Sequence, residues 1–126
     1  MTVAAKSLPG RTAAGADLTM LAGTWANTNA WTRGIARIAM RDDDGVLHIN
    51  VNGADGRDWG AVPADVYFKR NDEGLEQPFT TSFDFESSEI TLQGFLRQGV
   101  LVVLSFTRYR DGRTNHFSKE FFYRVG

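Results

Sequence analysis

Hydrophobic and polar residues alternate along the last third of the chain, residues 79–124. Alternation with a period of two is typical of β-strands that have one buried face and one exposed face. Short polar breaks interrupt it at Ser87-Ser88, Gln98-Gly99 and Asp111-Gly112, and Asp-Gly between alternating runs is a strong hairpin signal. The pattern therefore predicts four consecutive antiparallel strands, over residues 79–85, 89–96, 100–109 and 114–124.

Counting outward from two-residue loops sets the register of these strands. Leu101 is then opposite both Phe122 and Leu96, and the first hairpin pairs Phe85 with Ile90 and Phe79 with Leu96. Because side chains alternate between the two faces, one face collects apolar residues and is predicted to form the core. That face comprises Phe79, Phe83, Phe85, Ile90, Leu92, Leu96, Leu101, Val103 and Phe122.

The same register places a polar stripe inside the predicted core. Buried polar groups need hydrogen-bond partners, which here are each other, water or a ligand. The stripe consists of Ser105, Thr107, Tyr109, His116, Ser118 and Glu120.

The outer face of the last two predicted strands is unusually apolar. A monomer rarely exposes a patch of this size, so we expect something to cover it, and a homodimer or higher homo-oligomer is the simplest candidate. The patch consists of Val100, Val102, Leu104, Phe106, Phe117, Phe121 and Tyr123, with Phe95 beside it.

Strand patterns also occupy the earlier part of the chain. One strand opens at Gly23, a hairpin over residues 34–41 and 45–53 turns at Asp44-Gly45, and another strand covers residues 64–69. Residues 52–65 are predicted to be an ordered loop or a short broken strand. In the hairpin, Ala36, Ile38 and Met40 face inward with Leu47, Ile49 and Val51.

These strands total eight in sequential order, and no stretch has a useful helical period. The predicted fold is all-β, an eight-stranded antiparallel up-and-down β-barrel, because closure removes exposed sheet edges. A barrel of this size is either filled by its own side chains or holds one small ligand.

Length and composition limit the function classes. The chain of 126 residues is one barrel domain over residues 18–126, preceded at residues 1–17 by a flexible arm or a short helix over the barrel mouth. The absence of cysteine excludes disulfides, thiolate metal sites and a cysteine nucleophile. A net charge of −1 indicates neither nucleic acid nor an anionic membrane as a partner. No apolar run is long enough to span a membrane and the N-terminus is not apolar, so we expect a cytoplasmic protein.

The segment Leu21-Ala22-Gly23-Thr24-Trp25 resembles the opening of the calycin superfamily, which includes lipocalins, fatty-acid-binding proteins and avidins. The resemblance implies a β-barrel in which an arginine of the last strand packs over the tryptophan, here Arg124 over Trp25. The chain also resembles small bacterial proteins that contain Gly-Thr-Trp, Asp-Trp-Gly and Phe-Thr-Arg segments.

The first strand is also similar to that of avidins, and this implies contact of Asn27 with biotin. However, Trp31 stands where avidins have a serine, and the later tryptophans of avidins are absent from residues 79–109.

Candidate site residues follow from the inward-facing positions. A ligand is expected to contact the polar stripe and nearby aromatic residues. In an enzyme, His116 and Glu120 would exchange protons. A metal site is not expected, because the chain has two histidines and His48 is predicted to face outward; no cofactor is expected either. The predicted ligand-binding residues are Ser105, Thr107, Tyr109, Ser118, Phe83, Phe85 and Trp59.

The leading functional prediction is binding of a small, largely apolar molecule in the lumen, for carriage or sequestration. Three alternatives stay open. The polar stripe is a satisfied internal network with Glu120 paired to Arg124; the barrel is an acid–base isomerase or cyclase; or the protein is an interaction module that acts through its apolar outer face.

Overall fold

The computed structural model describes residues 10–71 and 74–126, and most of them lie in antiparallel β-strands. A 3-10 helical turn, Leu18–Met20, precedes the first strand. The strands are β1 (Gly23–Asn27), β2 (Ile35–Asp43), β3 (Val46–Gly53), β4 (Asp58–Pro63), β5 (Asp65–Val66), β6 (Lys69–Asn71), β7 (Gly74–Glu76), β8 (Phe79–Asp84), β9 (Ser88–Arg97), β10 (Val100–Tyr109) and β11 (His116–Arg124).

The strands form a nearly closed antiparallel barrel, so the predicted all-β barrel is confirmed. The main sheet has nine strands in the order β4-β3-β2-β1-β11-β10-β9-β8-β5, and β6 and β7 pair separately. The predicted number of eight strands is therefore wrong. The stretch predicted as a loop or broken strand contains β4, and the strand predicted over residues 64–69 contributes only Asp65–Val66 to this sheet.

The chain changes sheet partners at Pro63, and this change brings the barrel close to closure. β4 pairs with β3 as far as Pro63, and the Ala64 N–H still donates to Leu47 O (2.9 Å). The next two residues, β5, pair with β8 at the opposite end of the sheet.

Side chains bridge the seam between β4 and β8. Thr81 Oγ1 donates to Pro63 O at 2.7 Å. The Trp59 ring packs edge-on against Phe83 and Phe85, with centroids 5.4 and 5.6 Å apart. Closure at this seam therefore depends on ring packing and a hydroxyl.

The predicted registers of β9, β10 and β11 are confirmed. Leu101 pairs with Phe122 and with Leu96, and Ser105 pairs with Ser118. The turn at Gln98-Gly99 has φ values of 52° and 83°, and both residues therefore lie in the left-handed region that two-residue hairpin turns require. The last hairpin differs, because β11 begins at His116 rather than at residue 114 and the connecting loop is longer.

The predicted register of β8 against β9 is wrong by two residues. Phe83 pairs with Ile90, and Phe79 pairs with Gly94 rather than with Leu96. A side chain at Gly94 would place its Cβ 2.5 Å from Phe79 Cε2. Because Gly94 has no side chain, the fully buried Phe79 ring fits against it. A register shift of two residues keeps every side chain on the face that was predicted for it.

A β-bulge at the start of β2 changes which residues face inward, so the prediction that Ala36 faces inward is wrong. The register shifts between Ile35 and Arg37, and Ile35 is buried while Ala36 is only half-buried. Beyond the bulge, Ile38 pairs with Val51 and Met40 with Ile49, as predicted.

The closed half of the lumen is filled with apolar side chains. The largest that are fully buried include Trp25, Phe79, Phe83 and Phe122. Phe85, Ile90 and Leu96 of the predicted core are partly buried against this cluster.

Residues 10–17 run along the barrel wall, whereas residues 1–9 of the predicted arm lie outside the described residues. Thr12 forms a parallel bridge with Val66, and its hydroxyl donates to Gly45 O (2.6 Å). The Asp17 side chain then caps the helical turn by accepting from Thr19 N at 3.0 Å. In the described ranges, no helix combines the length and apolarity needed to cross a membrane.

Candidate functional site

A cavity opens at the end of the barrel where β1, β3, β8 and β10 finish. In an up-and-down barrel, alternate loops meet at the same end. Here these loops cover residues 28–34, 54–57, 85–87 and 110–115. The cavity has a volume of about 290 Å³, at the small end of the range of about 300–1,000 Å³ that is typical of ligand pockets.

Hydroxyl groups from two adjacent strands line the cavity. Ser105 on β10 lies directly opposite Ser118 on β11, and Thr107 follows on the same side of β10. Ser105 and Thr107 are each 7% exposed. None of these three hydroxyls has a hydrogen-bond partner among the described residues. In the same part of the chain, every polar side-chain atom that is fully enclosed by protein does have a partner, so these hydroxyls are not enclosed. They are therefore open to the cavity, where water or a ligand is their partner.

Apolar residues form the other walls. Trp59, Phe85, Ile35 and Ile90 line the cavity. Phe83, a predicted ligand contact, lies behind Trp59 and is 2% exposed, outside the cavity lining. The cavity thus combines an aromatic wall with a polar wall.

Glu120 faces the cavity but holds the loop between β1 and β2. Its Oε2 accepts from Asn27 Nδ2 at 2.7 Å and from Thr32 Oγ1. Its Oε1 accepts from the Ile35 N–H at 3.2 Å. Both oxygens of the Glu120 side chain are therefore occupied by donors from the neighbouring residues.

The close approach of this carboxylate depends on Gly34. A Cβ there would lie 2.6 Å from Glu120 Oε1, so a larger residue would displace the carboxyl or the loop. The same loop is tied to itself, because the Gly34 N–H donates to Thr32 Oγ1 at 3.0 Å. Glu120 is therefore part of the loop's hydrogen-bond network.

The predicted pairing of Glu120 with Arg124 is not what the structure shows. Arg124 lies at the closed end, where its guanidinium is 4.5 Å from the ring of Trp25 and donates to Met20 O at 2.7 Å and to Ala22 O. Trp25 Nε1 donates to Leu21 O at 3.0 Å. Arg124 and Trp25 therefore pack on each other at the closed end of the barrel.

His116 lies at the cavity rim in a stack of rings. The centroid of its ring lies 5.8 Å from the centroid of the Tyr109 ring. Arg113 Cζ lies 4.1 Å from the same Tyr109 centroid. Hydrogen bonds from the Arg113 side chain lower the pKa of Asp111 and raise that of Arg113. The rim therefore presents an imidazole, a phenol and a guanidinium in one row.

Sequence reasoning missed the loop residues of the site. Arg33, Asp55 and Arg57 line the cavity, and Arg57 Cζ lies 5.1 Å from the Phe85 ring centroid. The signal was present in the strand order, since the loops after β1 and β3 must open at the same end as the hairpin after β10. By contrast, Trp31 is 89% exposed and lines no part of the cavity.

The described residues contain no group of histidine and carboxylate side chains that could hold a metal ion. His48 lies away from this cavity, with Nδ1 3.7 Å from Asp43 Oδ2. The candidate chemistry of the cavity therefore rests on hydroxyl, imidazole, carboxylate and guanidinium groups.

Comparison with known proteins gives no relative: no family model, curated protein or solved structure matches this chain. The geometry of the cavity is therefore the basis for inferring its function.

Proposed function

We propose that the protein binds one small, largely apolar molecule in the mouth of its barrel, with a polar group of the ligand against the hydroxyl wall. The observation that carries this proposal is the set of three hydroxyls, on Ser105, Thr107 and Ser118, that open to the cavity without a protein partner. The apolar body of the ligand packs against Trp59 and Phe85, which line the facing wall. Carriage or sequestration needs nothing more.

We also propose that the barrel is calycin-like. The packing of Arg124 over Trp25 supports this relationship, as do the sequential strand order and a lumen that is filled at one end and open at the other. In such a barrel the filled end provides stability and the open end provides specificity.

Native mass spectrometry of freshly purified protein, before and after organic extraction, tests ligand binding. The expected result is one small molecule per chain that extraction removes. If the freshly purified protein has the mass of the chain alone, with no adduct that extraction removes, the binding proposal fails.

Two matched variants connect the adduct to the cavity. Ser118→Leu fills the space beside Ser105, so we expect the adduct to be lost while the fold, followed by circular dichroism, is kept. Ser82→Leu makes the same change at an exposed position on β8 and should keep the adduct. The milder Ser105→Ala removes one hydrogen bond, worth about 0.5–1.5 kcal/mol, and should weaken binding about 2- to 12-fold. Equal binding by the wild type and Ser118→Leu would place the ligand elsewhere.

A second candidate is acid–base catalysis of an isomerisation or cyclisation, and the position of His116 favours it. The imidazole lines the cavity directly opposite Thr107, next to the free hydroxyls, and histidine exchanges protons near neutral pH. Glu120 is the weaker acid–base candidate, because three donors already occupy it.

Stripped protein incubated with its extracted ligand distinguishes the two candidates. An enzyme converts the ligand to a species of different mass or retention time, and His116→Gln should bind the ligand without converting it. His48→Gln is the matched control, since that histidine lies outside the cavity. Recovery of unchanged ligand from the wild type would leave binding alone.

A further inference from the structure

The outer face of β9, β10 and β11 is an apolar surface on the side of the barrel, away from the cavity lumen. Four of its aromatic side chains are about half exposed, at 41% for Phe106, 55% for Phe117, 42% for Phe121 and 50% for Tyr123. They adjoin Val102, which is 5% exposed and lies between β9 and β11 in the sheet. A monomer rarely leaves so many large apolar groups together in solvent.

Strand register arranges this outer face in rows. At the closed end of the barrel, Arg97 on β9 aligns with Val100, and at the mouth end Glu89 on the same strand aligns with Arg108. Leu104 lies midway between these rows on β10, beside Lys119 of β11. The outer side of β9 is therefore basic at one end of the face and acidic at the other.

We propose that a second copy of this chain packs on the outer face, with the strands of the two copies antiparallel about a two-fold axis at Leu104. This axis lies in the interface plane and crosses the strands, so each strand faces its own copy in reverse. Arg97 then faces Glu89 of the partner subunit, and the symmetry repeats this ion pair. Glu89 also interacts within its own chain, and the partner's arginine adds to that contact.

The same arrangement matches apolar groups with each other. Phe117 faces Phe121 of the partner subunit, and Leu104 packs on Leu104 of the partner subunit. Lys119 is nearest to its own copy, but its ammonium lies 5.7 Å from the Phe121 ring centroid, displaced along the strand towards the closed end. A self-complementary pattern of this kind is what a two-fold interface requires.

A groove at the mouth end of the outer face supports the antiparallel choice. Phe106, Phe117, Arg108 and Asn115 line it, and its volume is about 450 Å³. When the strands of the two copies are antiparallel, the exposed rings of Phe121 and Tyr123 at the closed end of one copy lie over this groove of the other copy. A parallel arrangement would instead place one groove against the other.

The dimensions of the face indicate a dimer of modest affinity. Five rows at about 6.7 Å and three strands at about 4.8 Å give about 480 Å² per copy. Two copies bury about 1,000 Å², at the low end for protein–protein interfaces. We therefore expect a dimer that dissociates on dilution.

Sedimentation velocity over a concentration series tests the proposal. The wild type should be dimeric at high concentration, and Phe117→Asp should raise the dissociation constant by about 30-fold or more, because the two-fold axis places this large aromatic residue in the interface twice. Tyr67→Asp is the matched control, because Tyr67 is 51% exposed but lies off this face. A monomeric wild type at every concentration, or a dimer that survives Phe117→Asp, overturns the proposal.

Charge reversal tests the antiparallel arrangement. Arg97→Glu and Glu89→Arg should each weaken the dimer, because each places like charges opposite each other twice. The double variant should regain the wild-type dissociation constant. If the double variant is as weak as the single variants, the two residues do not meet and the arrangement is wrong. Circular dichroism of each variant checks that the fold is kept.

Discussion

Glu120→Gln is the substitution that best separates a loop anchor from a catalytic acid. The wild-type carboxylate accepts from Asn27 Nδ2, Thr32 Oγ1 and the Ile35 N–H. Glutamine has one acceptor oxygen, so its amide group must face at least one of these donors. An amide nitrogen in place of Oε1 faces the Ile35 N–H, and in place of Oε2 it faces Asn27 Nδ2 and Thr32 Oγ1, so each orientation leaves at least one donor without an acceptor.

The magnitude follows from the cost of an unpaired donor, about 1–3 kcal/mol when buried. Because Glu120 is only half-buried, we expect the lower part of this range, about 1–2 kcal/mol of unfolding free energy. For a chain of this size that corresponds to a fall in Tm of about 4–8 °C. Thr32→Val removes one of the same hydrogen bonds, so the double variant should lose less than the sum of the two single losses.

The assay is reversible denaturant unfolding together with a thermal scan. Glu86→Gln is the matched control at an exposed position, where we expect a change within about 0.5 kcal/mol. If Glu120→Gln unfolds like the wild type and like Glu86→Gln, the carboxylate is not an anchor, and the reasoning from its three donors is refuted. Retained stability with lost ligand conversion would point to the acid role instead.

Two further predictions concern the fold and the rim. Gly94→Ala should destabilise the protein by about 1–2 kcal/mol, because the clash with the buried Phe79 ring exceeds the gain of about 0.5–1 kcal/mol from replacing glycine in a strand. Adding Phe79→Leu should relieve part of this loss. If the changes in the free energy of unfolding are strictly additive in the double variant, there is no clash between the two residues. Arg113→Gln should raise the lowered pKa of Asp111 towards its ordinary value in a carboxyl NMR titration. Since the folded-state pKa is lowered, the stability that this pair contributes is present above the unfolded-state pKa and is lost as pH falls through the folded-state pKa; an unchanged pKa in the variant would show that the guanidinium is not the cause.

The sequence predicts the hairpins best where a turn motif and an alternating pattern coincide. Gln98-Gly99 defines the turn between β9 and β10, and the predicted pairing of Leu101 with Leu96 is confirmed. Around Ser87-Ser88 the turn motif is weak, and a shift of two residues preserves the faces. Only the fit of Phe79 against Gly94 distinguishes the two registers, and that fit is a three-dimensional property.

The site is predictable where it depends on strands and less so where it depends on loops. Ser105, Ser118 and His116 could be placed in the lumen, because their positions follow from side-chain alternation. The partners of Glu120 could not, since Asn27 and Thr32 reach it from a loop whose path no periodicity describes. The bulge at Ala36 has the same origin, because one extra residue changes the face of all residues before it.

The side-chain seam between β4 and β8 has a mechanical consequence. A barrel whose strands are all joined by backbone hydrogen bonds has a fixed circumference, because each step around it is set by the ladder spacing. Here one step is set by Trp59 against Phe83 and Phe85, and by a single threonine hydroxyl. Beyond Pro63 the ladder between β5 and β8 holds the closed end of the barrel, so a movement of the indole ring changes the width of the barrel only at its mouth. Trp59 also lines the cavity, so a molecule that displaces this ring alters the diameter of the mouth.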